Sequence, residues 1–229
     1  MKEPNSISLI FPVYKDKYTV LRVIDKSLRI LKKLKKKYEI IIIDDCCPER
    51  SGQLALLKTK KNKNIKVFFH KKNLGYGAAI RTGLKKSKYD CIYAVDGDGE
   101  FGISFNDLPK ILKAYKNNDL VITYRFKKRY KTTRIIISWI YNFILRILFS
   151  IDFKDISCGA RLVSKKILKK IKLTTNSPFI GAELAIKSKY AGFKVAEVGI
   201  QSYPNNFRPG SSVVLKNIII TIRDIIILF

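Results

Sequence analysis

Cys91-Ile92-Tyr93-Ala94-Val95-Asp96-Gly97-Asp98-Gly99-Glu100 governs how the rest of the chain is read, because a short apolar run ends there in three carboxylates separated by glycines. Carboxylates at the end of a buried strand, with Gly97 and Gly99 removing side-chain bulk between them, bring oxygen ligands and bare backbone up to one small hard cation. Mg²⁺ and Mn²⁺ prefer oxygen, and Mg²⁺ is usually held by one or two carboxylates plus substrate phosphates. Asp98 with Asp96 or Glu100 therefore suffices for a metal-bound diphosphate. A solvated acidic turn is the plainer alternative for the same letters. The surrounding sequence favours the metal.

On the N-terminal side, residues 7–11 form a short apolar strand, and Pro12-Val13-Tyr14-Lys15-Asp16 follows as a turn. Val20, Leu21, Ile24, Leu28, Leu31 and Leu34 recur at helical spacing. Residues 39–43 are an apolar strand ending in Asp44-Asp45, residues 65–69 repeat the theme, and Asn73-Leu74-Gly75-Tyr76-Gly77 opens a helix over 78–86. Continuous isoleucine-rich strands alternating with helices predict parallel strands covered on both faces and joined by right-handed crossovers. Ligands of such sheets sit beyond the carboxyl ends of the strands. That rule gathers Tyr14, Asp16, Asp44, Asp45, Asp96 and Asp98 around one crevice. Gly75 and Gly77 are no dinucleotide fingerprint: position 80 is isoleucine, no Walker lysine follows, and the pair succeeds the third strand instead of the first. They read as tight-turn and close-packing residues.

The 229 residues fit one domain, 1–229, with no linker or repeat dividing them. Lysine and arginine number 46 against 18 acidic residues, a formal charge of +28. Such an excess suits nucleic acid, an anionic membrane surface or phosphorylated substrates. No nucleic-acid-binding motif is present and the lysine runs fall on predicted helix faces or turns, so no nucleic-acid partner is expected. Met1-Lys2-Glu3-Pro4 leads straight into an apolar strand, without the long apolar run and cleavage site of a signal peptide, and a cytoplasmic protein is expected. Four cysteines without CxxC spacing, beside the single His70, argue for free thiols and against zinc.

In order and spacing, Phe11-Pro12-Val13-Tyr14-Lys15-Asp16, residues 39–45, residues 73–83 and Asp96-Gly97-Asp98 resemble the successive signatures of family 2 glycosyltransferases. Asp155-Ile156-Ser157-Cys158-Gly159-Ala160-Arg161, Glu183 with Gly192 to Val198, and Arg208-Pro209-Gly210-Ser211-Ser212 are similar to the later signatures of the dolichol-phosphate mannosyltransferase-like branch. The resemblance implies an α/β GT-A nucleotide-sugar-binding fold, a Rossmann-like mixed sheet with helices on both faces. It further implies a metal-dependent, inverting transfer from a GDP- or UDP-sugar. Pro12, Tyr14, Asp16 and Asp44 are assigned by it to the nucleoside, and Asp96, Asp98 and Glu100 to Mg²⁺ or Mn²⁺ and the diphosphate. Ser212, which closes the last signature, goes with the donor. Asp16 in place of the usual glutamate, Cys46-Cys47-Pro48 in place of a small polar turn, Glu100 in place of glutamine and the lack of a lysine after Ser212 leave the donor base and sugar open.

Members of the wider family that attack with a sugar hydroxyl commonly carry a Glu-Asp pair where this chain has Ile180 and Gly181. A hydroxyl needs a base, whereas a phosphate monoester is already anionic and needs only cations to hold it. A polyprenyl phosphate acceptor is expected, gripped by Arg125, Arg134 or Arg208, with Asp98, Arg125 and Arg208 carrying the transfer. The alternatives are transfer to a glycan hydroxyl with Glu183 as base, and an inactive nucleotide-sugar-binding module. Ser138, Asn142, Arg146 and Ser150, four apart, make one polar stripe in an apolar segment, 135–151, and 213–229 is similar. Both are short of the ~20 residues of a span and have the form of amphipathic interfacial helices. A protein peripheral on the inner face of the membrane, held by anionic lipid, is the corresponding expectation.

Overall fold

The computed structural model describes residues 3–95, 105–127, 132–156, 158–201 and 215–229. Within them, β1 (Ser6–Val13), α1 (Val20–Lys33), β2 (Lys37–Asp44), α2 (Ser51–Thr59), β3 (Ile65–Phe69), α3 (Tyr76–Lys86), β4 (Cys91–Ala94) and α4 (Leu108–Tyr115) alternate as expected. β5 (Leu120–Lys127), α5 (Thr132–Leu148), β6 (Arg161–Ser164), α6 (Lys165–Lys170), α7 (Ile180–Tyr190), β7 (Val195–Gln201) and α8 (Leu215–Leu228) follow. All seven strands join one sheet in the order β3-β2-β1-β4-β6-β5-β7. β6 alone runs antiparallel to its neighbours, so the sheet is mixed.

Strand alternation builds two cores. Ile7, Leu9, Phe11 and Val13 of β1 face α1 and α4 through Val23, Ile24, Leu31, Leu108 and Ile111. Ile10 points the other way, into a layer with Ile80 and Leu84 of α3 and Phe179, Ile180 and Leu184 of α7. Pro12 sits beyond the last β1–β4 pair, Ile10 with Ala94, so its missing N–H interrupts no bond to that strand. Because β5 is antiparallel to β6 and β6 to β4, the carboxyl ends of β1, β2, β4 and β5 lie on one edge of the sheet. That edge is the predicted crevice.

The two amphipathic helices are present with slightly different bounds. α5 stops at Leu148, three residues before the expected end, and Ser150 takes a left-handed φ of +44°, which an α-helix does not continue through. α5 is also inside out. Asn142 is 4% exposed, whereas Ile136, Ile137, Trp139, Ile140, Phe143, Ile144 and Ile147 are each more than 40% exposed. α8 buries Ile225 in the cluster that holds Leu145 of α5 and Phe149, Ile151 and Phe153 just after it, and Phe229 meets Phe149 edge to face at 6.0 Å. Its Ile219, Ile222, Ile226 and Ile227 stay exposed. No helix among the described residues is long and apolar enough to cross a membrane.

Candidate active site

Three carboxylates assemble at the ends of β1 and β2. Asp16, 6% exposed, accepts the Tyr14 N–H at 2.8 Å, and its own N–H donates to Ser51 Oγ at 2.9 Å. Asp44, 1% exposed, accepts from Cys47 N at 2.7 Å and Gly52 N at 2.6 Å. Arg50 before α2 offers no side-chain cap, so Asp44 satisfies an orphan N–H at that helix start, where the dipole favours an anion. Gly52 is required for this approach, since a Cβ there would lie 2.5 Å from Asp44 Oδ2 and 2.6 Å from the Phe69 ring. Asp44 thus performs the strand-end turn work as well as standing at the crevice. Tyr14 is exposed beside it, with the Lys15 ammonium 5.6 Å from its ring centroid, and Pro12 is buried behind.

Asp45 organises the next wall. His70 Nδ1 lies 2.6 Å from its Oδ1, and His70 Nε2 lies 2.9 Å from Thr82 Oγ1 on α3. Leu74 N and Gly75 N donate to the same carboxylate at 2.9 and 2.8 Å. The loop so fixed is pressed against residues 174–177. Gly75 has φ +97° and a Cβ on it would stand 2.6 Å from the Asn176 carbonyl oxygen, while Gly77 N donates to that oxygen at 2.8 Å. These glycines do turn and close-packing work. Arg81 completes the joint through Thr174, Thr175 and Asn176.

Glu183 belongs to this joint. It is fully buried and accepts from Thr174 N, Thr174 Oγ1, Thr175 N and Lys187 Nζ at 2.5 to 3.0 Å. Burial alone would raise its pKa, but the hydrogen bonds from Lys187, Thr175 and Thr174 outweigh it and hold the carboxyl below its ordinary value. Both carboxylate oxygens are engaged by donors of the 174–175 segment and Lys187, so Glu183 braces the joint between α7 and that segment.

On the far side of β4, Arg125 of β5 makes a two-point pair with Asp155, Nε to Oδ2 at 2.8 Å and Nη2 to Oδ1 at 3.1 Å. Arg161 stands opposite Ala94 in the β4–β6 ladder, two residues from Asp96 in sequence. It is 7% exposed, donates through Nη2 to the Ile156 carbonyl at 2.7 Å and packs its guanidinium against Gly181, where any side chain would collide with it. Asp155, Arg161 and His70 were not singled out as site residues from sequence, whereas Asp45 was placed at the crevice with Asp44. The first two lie inside a quoted signature, whereas nothing but uniqueness marked His70.

Asp96, Asp98, Glu100, Arg208 and Ser212 lie outside the described residues, as does the side chain of Arg134. Among the described residues no group of three or more His, Cys, Asp or Glu side chains could hold a metal ion. The described carboxylates of the crevice already accept N–H groups; the all-oxygen set Asp96, Asp98 and Glu100, of a chemistry that suits Mg²⁺ or Mn²⁺, is the one the sequence offered for a cation. The four cysteines are free.

Comparison with known proteins gives a consistent picture. The family model described as "Glycosyl transferase family 2" matches residues 8–172. Dolichyl-phosphate beta-glucosyltransferase ALG5D of Trichomonas vaginalis is 23% identical over 212 residues, covering 85% of this chain and 65% of that protein. Undecaprenyl-phosphate mannosyltransferase of Micrococcus luteus is 28% identical over 187 residues, covering 78% and 72%. The chain therefore spans less than two thirds of the length of the first. The crystal structure of glucosyl-3-phosphoglycerate synthase from Mycobacterium tuberculosis with Mn²⁺ and UDP-glucose has a TM-score of 0.69 at 13% identity, covering 96% of this chain and 79% of that one.

Proposed function

Since this chain belongs to glycosyl transferase family 2 and adopts the GT-A nucleotide-sugar-binding fold, we propose that it moves a sugar from a GDP- or UDP-sugar to a polyprenyl phosphate at the cytoplasmic membrane face. The observation that carries this reading is helix α5. It turns seven large apolar side chains to water while the buried Asn142 and the exposed Arg146 hold the segment that pairs Arg125. An exposed patch of that kind marks an interaction surface. With a formal charge of +28 and the exposed isoleucines of α8 beside it, the occupant is an anionic lipid surface, each nearby lysine adding ~1 kcal/mol.

The chemistry agrees with a phosphate nucleophile. One oxygen of the acceptor phosphate bonds to the anomeric carbon on the face opposite the diphosphate, the pair of the old C–O bond leaves with the diphosphate, and configuration inverts. No proton need be removed, which suits a crevice in which Glu183 is spoken for. Asp96, Asp98 and Glu100 would hold Mg²⁺ or Mn²⁺, which would supply charge neutralisation for the departing diphosphate. Arg208, and Arg125 beside the fork it makes onto Asp155, are assigned to phosphate, because charge-assisted hydrogen bonds recognise phosphate oxygens. The two relatives named for lipid phosphates and the neighbour holding Mn²⁺ with UDP-glucose support the assignment.

The test is a transfer assay with the whole chain, Mn²⁺, a panel of GDP- and UDP-sugars, and either polyprenyl phosphate in anionic vesicles or a soluble oligosaccharide. A glycosyl-phosphoryl lipid is expected. Transfer to the oligosaccharide alone would replace this reading with a hydroxyl acceptor, and nucleotide binding with neither transfer nor donor hydrolysis would mark a binding module.

A further inference from the structure

We propose that Asn142 of α5 is a positioning residue for Arg125, so that the helix on the proposed lipid surface also sets the guanidinium that receives the acceptor phosphate. The inference rests on the phosphate role given to Arg125 above. Its physical basis is the route between the two side chains. Asn142, 4% exposed, donates through Nδ2 to the Ser138 carbonyl at 2.6 Å, which fixes its rotamer, and its Oδ1 accepts the Ile156 N–H at 2.8 Å. One turn on, Arg146 donates to the carbonyls of Phe153 and Lys154 at 3.0 and 3.3 Å. Two members of the stripe noted in the sequence thus hold three backbone groups of residues 153–156. Arg161 takes the Ile156 carbonyl and Glu197 the Lys154 N–H, so this short segment is clamped from several sides.

Asp155 sits in the middle of that segment, 2% exposed, and forks onto Arg125. A forked pair transmits position better than a single bond, because both guanidinium edge nitrogens must follow the carboxylate plane. Moving Ile156 off Asn142 moves its neighbour Asp155, and Arg125 goes with it. A buried amide is costly to place unless its bonds are made. A helix that spends the polar groups of Asn142 and Arg146 on one segment is suited to holding that segment in place.

Two measurements test this. In ¹⁵N-arginine spectra of the whole protein without substrate, the Arg125 Nε–H resonance is assigned by its loss in Arg125→Lys. Asn142→Leu, similar in size but without the acceptor, should shift or broaden that resonance; an unchanged resonance overturns the proposal. In kinetics with a short-chain polyprenyl monophosphate, Asn142→Leu should raise the acceptor KM about tenfold, the scale of one buried hydrogen bond, with donor KM within about twofold. Arg146→Met, at an exposed position that tolerates change, should raise it about threefold and is the variant to rely on if Asn142→Leu fails to fold. Equal losses toward donor and acceptor, tracking the folded fraction, overturn the proposal in favour of a purely structural role. If Arg125→Lys raises the acceptor KM but neither α5 variant does, the positioning role falls while the phosphate role stands; if Arg125→Lys leaves it unchanged, both fall.

Discussion

Two faces of the protein are built by opposite means. On the β1–β2–β3 side, polar groups are turned inward and saturated: Asp16, Asp44 and Asp45 are each no more than 6% exposed, and each accepts at least one backbone N–H. On the α5–α8 side, apolar groups are turned outward, with Trp139 and Ile147 each 63% exposed and Phe229 75%. A wall of satisfied carboxylates keeps its shape in water and suits a polar, water-soluble donor. A face of exposed isoleucines and a tryptophan has no such reason to meet water, and it suits an acceptor that lives in lipid.

The sharpest way to break the comparison is to ask whether any carboxylate of the polar side serves a cation. Asp98→Ala should reduce turnover by about a thousandfold while leaving nucleotide affinity without Mn²⁺ within about threefold, because it removes a metal ligand and not the nucleoside pocket. Asp44→Ala should do something different. It should lower unfolding stability by about 2–3 kcal/mol in urea titrations, since it orphans the buried N–H groups of Cys47 and Gly52. If Asp98→Ala keeps most of its turnover, or Asp44→Ala unfolds no more readily than the parent chain, the division of labour between these carboxylates is wrong.

The apolar side is probed next, with a smaller effect. Trp139→Ser combined with Ile147→Ser should weaken sedimentation with anionic vesicles about tenfold or more, given ~25 cal/mol per Å² of apolar area withdrawn from lipid. Both residues are 63% exposed, so urea stability should move by no more than about 0.5 kcal/mol. Binding of the parent chain should also fall with added salt. Binding that is indifferent to the two substitutions and to salt would transfer this face to another partner.

Sequence reached the two sides unequally, for a physical reason. Period-two and period-3.6 patterns report burial, so the Ile40–Ile43 run and the Val20 to Leu31 stripe announced the strands and the first helix, and strand ends announced the crevice. The short antiparallel β6, four residues of which Arg161 and Ser164 are polar, gives no such pattern and was read only as part of a signature. The stripe Ser138, Asn142, Arg146 was legible as a stripe, but periodicity does not say which face looks inward. Packing against residues 153–156 decided that Asn142 does, while Arg146 reaches the same segment from an exposed position. Likewise Glu183 was visible as a carboxylate near the right place, and only its four hydrogen-bond donors, brought from residues 174–175 and 187, reveal that it is a brace.

Glu183 yields the smallest expected effect and the finest test, because it stands at the joint between α7 and the 174–177 segment that closes the polar wall. Its folded pKa is held below the ordinary value of 4.5 by hydrogen bonds that outweigh the opposing effect of burial. A depressed carboxyl contributes stability that is fully present above its unfolded pKa and is lost as pH falls through the folded value. The stability difference between the parent chain and Glu183→Gln, measured by urea titration, should therefore be constant from pH 7 down to about 5 and shrink as the solution is acidified below 4.5. Glutamine still accepts from Thr174 and Thr175 through one oxygen but loses the ion pair with Lys187, 2.5 Å away in the parent chain, so a modest difference of about 1–2 kcal/mol is expected at pH 7. Turnover of the folded variant should stay within about threefold of the parent chain, with an unshifted pH–rate profile above pH 6, because the nucleophile proposed above is a phosphate, which ionises near that value without help. A variant that folds normally but is inactive, or whose profile loses a limb that the parent chain shows, would make Glu183 a proton acceptor after all and would turn the polar wall into the seat of general-base catalysis.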